Sequence, residues 1–166
     1  MTAYRMLADG RPNGIAASEE RLDDGGTFLS FSAELGAPRP VHSVVGEVFL
    51  DQRLAWRPFE LEIDGRTRSV PHTDGAELEI EGVPALFGVT VRRLIAAGLV
   101  PGERRELSVL HIALDGVDRR LTARYTWTGG ARFRYEVPGD RDAAWLLIRP
   151  KTGVVVSLED TAELAS

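Results

Sequence analysis

The chain has 166 residues, 43% hydrophobic and 27% charged, which fits one soluble globular domain over residues 1–166 whose core needs no staples. With 20 basic and 25 acidic residues it carries a net charge of −5, which argues against a nucleic-acid partner or an anionic membrane surface. It has no cysteine, so disulfides, thiolate catalysis and cysteine metal sites are excluded.

Met1-Thr2-Ala3-Tyr4-Arg5 does not begin a basic and then apolar leader, and no window reaches the roughly 18 apolar residues of a membrane span. The expectation is a cytoplasmic protein without membrane insertion. Almost every segment then reads with period two and closes on glycine, as in an antiparallel all-β domain. Tyr4 to Ala8 leads through Asp9-Gly10-Arg11-Pro12-Asn13-Gly14 into Ile15 to Leu22. Asp23-Asp24-Gly25-Gly26 turns into Thr27 to Leu35, where Leu29, Phe31, Ala33 and Leu35 alternate with polar neighbours. A loop from Gly36 to Pro40 follows. Val41 to Asp51 carries Val44, Val45, Val48, Phe49 and Leu50, so both of its faces are expected to be covered. Phe59 to Ile63 ends at Asp64-Gly65, a strong hairpin signal, and its partner Arg66 to Val70 stops at Pro71. Ala76 to Glu81 places Ala76, Leu78 and Ile80 on one face and Glu77, Glu79 and Glu81 on the other.

Val91, Leu94 and Ile95 have helical spacing, with Gly98 at the C′ position and Pro101 beyond it. In a mostly β chain, such a helix plugs or caps a curved sheet. From Leu107 to Val137 three strands form a meander with turns at Asp115-Gly116 and Gly129-Gly130. Its apolar positions are Leu110, Ile112, Leu114, Leu121, Ala123, Tyr125, Trp127, Phe133, Tyr135 and Val137. A two-residue loop at Asp115-Gly116 pairs Ile112 with Arg119 and Leu110 with Leu121. A three-residue loop of Gly129, Gly130 and Ala131, with a left-handed glycine, pairs Trp127 with Phe133, Tyr125 with Tyr135 and Arg124 with Glu136. The apolar face is expected to be concave and the Arg- and Thr-rich face wet. Ala144 to Arg149 and Val154 to Val156 follow, apolar on both faces. The whole is mainly β: an antiparallel curved sheet, half-barrel or barrel, of about nine to eleven strands with one or two short helices.

Candidate sites are few. His42, His72 and His111 lie in separate segments without ligand spacing, so no metal or cofactor is expected. His42 and His72 read as solvated. His111, near Arg120, is a candidate general base if the arginine-rich face lines a cavity, with Arg124, Arg134 and Tyr135 beside it. Glu77, Glu79 and Glu81 read as a wet outer face. Tyr125, Trp127, Phe133 and Tyr135, with Leu110, Ile112 and Trp56, form either a pocket for a lipid tail or a filled core, and Trp145 belongs to the same aromatic set.

Phe87-Gly88-Val89-Thr90-Val91-Arg92-Arg93-Leu94, Pro101-Gly102 before a strand, Arg124-Tyr125-Thr126, Phe133-Arg134-Tyr135-Glu136 and Lys151-Thr152-Gly153-Val154-Val155-Val156 occur in the order seen in a glycolipid-binding family of bacterial proteins. Over residues 85–158 the chain resembles that family, which is similar in fold to the periplasmic lipoprotein carriers. The resemblance implies an antiparallel half-barrel wrapped round a short helix, with an apolar concave face. It transfers no catalytic residue. Together these readings point to a binder of a lipophilic or amphipathic, glycolipid-like molecule without catalysis. The alternatives are a cofactor-independent isomerase or cyclase using His111, Arg120, Arg124, Arg134 and Tyr135, or a module that forms a homodimer through an apolar sheet face.

Overall fold

Period-two alternation builds the first half directly, in a computed structural model that describes residues 1–36, 41–139 and 141–165, without the side chain of Arg141. The loop expected at residues 37–40 lies outside the described residues. Strands β1 (Thr2–Ala8), β2 (Arg11–Asp23), β3 (Gly26–Leu35), β4 (His42–Asp51), β5 (Phe59–Ile63) and β6 (Arg66–Val70) pair in sequence order, each antiparallel to the next. In β3, Leu29, Phe31, Ala33 and Leu35 are all buried on one face, as their spacing requires. The hairpins at Asp9-Gly10 and Asp64-Gly65 hold both residues at positive φ (51° and 74°, 51° and 77°), the signature of a type I′ turn.

The second half adds β7 (Ala76–Ile80), helix α1 (Ala85–Ala96), β8 (Arg104–Ile112), β9 (Asp118–Gly129), β10 (Arg132–Val137), β11 (Arg141–Ile148), β12 (Val155–Leu158) and β13 (Ala162–Leu164). The short β13 pairs with β1 and joins the halves into one 13-stranded sheet in the order β6-β5-β4-β3-β2-β1-β13-β12-β11-β10-β9-β8-β7. The fold is therefore mainly β with one helix, a curved sheet that is not closed into a barrel. Side chains, rather than ladder hydrogen bonds, link its two ends. Arg68 of β6 donates to both carboxylate oxygens of Asp118 at the start of β9 (3.0 and 2.6 Å), and Trp56 Nε1 donates to the Ala76 carbonyl of β7 (2.8 Å). Among the described residues, no helix is long and apolar enough to cross a membrane.

Three expectations fail, each for a packing reason. The sheet is not wholly antiparallel: β7 and β8 are parallel, with α1 as the crossover between them. The first turn of the meander is longer than two residues. Asp115 Oδ1 accepts from the Val117 N–H (2.9 Å), and Ile112 pairs with Asp118, Leu110 with Arg120 and Val109 with Leu121. This one-residue slip turns Leu110 and Ile112 away from Ala123 and Tyr125. It is stable because both faces of β8 are covered: Leu110 and Ile112 register with Leu78 and Ile80 and are buried with them. Conversely, β4 and β11 are not covered on both faces. Val45 is 47% exposed, Leu147 is 37% exposed, and Trp145 lies under the guanidinium groups of Arg132 and Arg134.

The second turn keeps the expected pairs but closes one residue tighter, over Gly130 and Ala131, because Arg132 pairs with Gly129. Trp127 pairs with Phe133, Tyr125 with Tyr135 and Arg124 with Glu136, with a register shift before Phe133 and Gly130 in the left-handed region (φ 54°). Ala123, Tyr125, Phe133, Tyr135 and Val137 are buried on the apolar face. Helix α1, longer than its apolar triplet suggests, buries Leu86, Val89, Val91 and Leu94, and Gly98 (φ 99°) ends it as a C′ glycine donating to the Ile95 carbonyl. Gly88 sets the depth of the helix, because a Cβ there would lie 1.8 Å from the carbonyl oxygen of Gly153.

Gly88→Ala should therefore lower the unfolding free energy by about 2 kcal/mol or more in urea denaturation, since the obstacle is backbone. Gly25→Ala, whose Cβ would meet only Phe49 at 3.6 Å, should stay within about 0.5 kcal/mol of the parent.

Candidate functional site

Strand β7 sets the site. Its alternation sends Ala76, Leu78 and Ile80 to one face and Glu77 and Glu79 to the other, and the parallel register puts Glu79 beside His111 of β8. Parallel strands joined by a crossover helix are usually covered on both faces. Here that leaves Glu79 only 2% exposed, contrary to the wet outer face expected for it, while Glu81 beyond the strand is exposed as expected. Glu77 meets Arg93 of α1 at 3.1 Å, and burial pushes its carboxyl above the usual range although Arg93 opposes the shift.

Burying a carboxyl is costly unless it is hydrogen-bonded. Glu79 is answered by Tyr135 of β10, whose hydroxyl donates into the carboxylate with 2.9 and 2.8 Å to its two oxygens. Two edge-on contacts hold the Tyr135 ring: Phe87 of α1 at 5.4 Å and Tyr125 at 5.2 Å. His111 Nδ1 lies 3.9 Å from Glu79, and Arg119 stands opposite His111 across the β8–β9 ladder. The Tyr125 hydroxyl is buried beside Thr90 without a well-formed hydrogen bond, and burial raises its pKa well above the ordinary phenol value.

Glu79, His111, Arg119 and Tyr135 share one wall of a cavity of about 610 Å³. The apolar lining comes from Met6 of β1, Ile80, Val83, Phe87, Leu146 of β11 and Leu158 of β12, with Glu81, Asp142 and Glu159 also present. A carboxyl, a phenol and an imidazole on the wall of a largely apolar hollow can hydrogen-bond the polar end of a ligand, and they are also groups that exchange protons.

Of the residues expected at a site, the structure brings His111 and Tyr135 to this cavity. Arg120, Arg124 and Arg134 alternate onto the opposite, outer face: Arg120 donates to Ser108 (3.3 Å), Arg124 to Glu106 (2.8 Å), and Arg134 lies over Trp145. The neighbour of His111 is Arg119 rather than Arg120, a direct result of the register slip. Trp127 stacks on Phe133 (5.5 Å, 16°) and donates to Gly130, while Trp56 packs edge-on to Phe59 and His72. Trp56, Leu110, Ile112, Tyr125, Trp127 and Phe133 are not among the cavity's lining residues. His42 pairs with Asp64 (3.0 Å) and holds its carboxyl below the usual range. Among the described residues, no group of three or more His, Cys, Asp or Glu could hold a metal ion. Sequence reasoning missed Glu79, Arg119 and Phe87. The available signal was the strand–helix–strand order from Ala76 to Ile112, which demands a parallel pair with two buried faces.

Tyr135→Phe should lower stability by about 1–3 kcal/mol, because it removes the buried carboxyl's hydroxyl donor. Arg124→Ala on the outer face should cost no more than about 1 kcal/mol. Glu77 supplies a pH test. Its folded pKa is raised, so the folded state binds more protons, and its contribution is greatest below the unfolded value of about 4.5 and falls as pH rises through the folded value. The stability difference between the parent and Glu77→Gln should therefore move against the parent as pH rises above about 4.5, as read by urea denaturation.

No family model matches the chain, and no curated protein matches it. Among solved structures it is similar to a DUF1089 family protein from Pseudomonas aeruginosa, with a TM-score of 0.65 and 21% identity over 86% of this chain and 88% of that one. That likeness shows the fold, a mostly β curved sheet.

Proposed function

We propose that this protein binds a lipophilic or amphipathic small molecule, glycolipid-like in having an apolar tail and a polar head, in the cavity between β7, α1 and β10–β12, and that it does so without catalysis. The observation that carries this reading is the pairing of a cavity of about 610 Å³ with a buried carboxyl on its wall, Glu79, held by the Tyr135 hydroxyl. The volume lies within the range of small-molecule sites, which are mostly apolar with a few convergent polar groups. Met6, Val83, Phe87, Leu146 and Leu158 offer the tail an apolar wall, and Glu79, His111 and Tyr135 offer the head hydrogen-bonding partners. The outer-face arginines stay with their carboxylate, hydroxyl and aromatic neighbours and take no part.

Native mass spectrometry of the protein as purified, with organic extraction of the same sample, tests this reading. The expected result is a copurifying amphiphile of discrete mass, or uptake of an added one at one per chain. Ala144→Trp, which places an indole in the cavity, should reduce uptake at least about tenfold while leaving the fold intact. Undiminished uptake by that folded variant would place the ligand elsewhere.

A further inference from the structure

The cavity's charged groups differ in depth. Glu79 is buried, His111 is half-buried, and Arg119, opposite His111, is exposed. A ligand head that reaches the inner wall therefore meets the Glu79 carboxyl. Glu81, Asp142 and Glu159 also contribute to the lining, but all three are exposed, and Glu159 lies 4.0 Å from Arg134. Two of these are fixed by backbone donors: Glu81 accepts from the Leu114 N–H (2.9 Å) and Glu159 from the Trp145 N–H (2.8 Å). In a water-poor hollow, electrostatic interactions strengthen, and an anion beside a buried carboxyl suffers both desolvation and repulsion. A carboxylate accepts hydrogen bonds and donates none.

We infer that the cavity selects an amphiphile whose head donates hydrogen bonds and carries no negative charge, a hydroxylated neutral head or a protonated amine, and excludes carboxylate and phosphate heads. This rests on the binding reading above and adds the chemical class of the ligand. The head sits against Glu79 and the tail runs along the Met6, Phe87 and Leu158 walls. Repulsion from the buried Glu79 carboxyl supplies the discrimination, since the apolar walls accept any alkyl chain alike.

Three probes that share an octyl chain separate the possibilities: octyl glucoside, octylamine and octanoate, titrated calorimetrically below their micelle concentrations at neutral pH. The expected result is that at least one of the first two binds at least about tenfold more tightly than octanoate, with Glu79→Gln shrinking that gap severalfold. Preference for the glucoside identifies a hydroxylated head, and preference for the amine a cationic one. Octanoate binding as tightly as both would overturn the inference and leave the cavity reading standing. If none of the three binds, both readings fall. The comparison within the parent protein does not depend on the variant. If Glu79→Gln folds and keeps the full gap, Glu79 is not the selecting group.

Discussion

The structure depends on one constraint: β7 is buried on both faces. A strand joined to its parallel neighbour through a helix must lie under that helix, and α1 covers the Glu77 and Glu79 side while the curled first half covers the Ala76, Leu78 and Ile80 side. The approach of the first half is visible at Gly82, where an added Cβ would meet Leu35 at 2.7 Å. Once β7 is fixed there, its acidic residues cannot reach bulk water. Glu77 is answered by Arg93 and Glu79 by Tyr135, so the polar wall of the cavity follows from a topological requirement on one short strand.

The same constraint explains the open sheet. The edge strands β6 and β7 do not pair to complete a barrel, and the Ala76 carbonyl of β7 accepts from Trp56 Nε1. The remaining gap is spanned by Arg68 and Asp118, an ion pair with matched donors and acceptors that holds the β8–β9 turn against β6. Helix α1 fills part of the enclosed space, at a depth set by backbone contact between Gly88 and Gly153, and the space left beside Phe87 is the cavity.

The sheet was largely legible where one face is solvent and the other core. Leu29 to Leu35 in β3, the Asp64-Gly65 hairpin and the Trp127–Phe133 and Tyr125–Tyr135 pairs could each be read from alternation and turn chemistry. Legibility ended where a strand is buried on both sides. There alternation no longer says which face is inward, so Leu110 and Ile112 could take either register at the Asp115 turn, and Glu79 looked like surface. Apolar content misled in the opposite sense at Val45 and Leu147, which sit on the outer face. The aromatic residues that stand out in the sequence, Trp56, Trp127 and Phe133, lie outside the lining of the cavity. Tyr135 was the exception, because its hydroxyl reaches a partner that no local pattern could supply, 56 residues away in sequence.

The central claim is that the space beside Glu79 and Tyr135 is a ligand cavity rather than unfilled core. A crystal structure of the protein as purified tests this most directly. The account predicts elongated density along Phe87 and Leu158 that ends within hydrogen-bonding distance of the Glu79 carboxyl. Side chains of Met6, Phe87 and Leu146 collapsed into the space, with the Glu79–Tyr135 pair sealed off from any void, would contradict it.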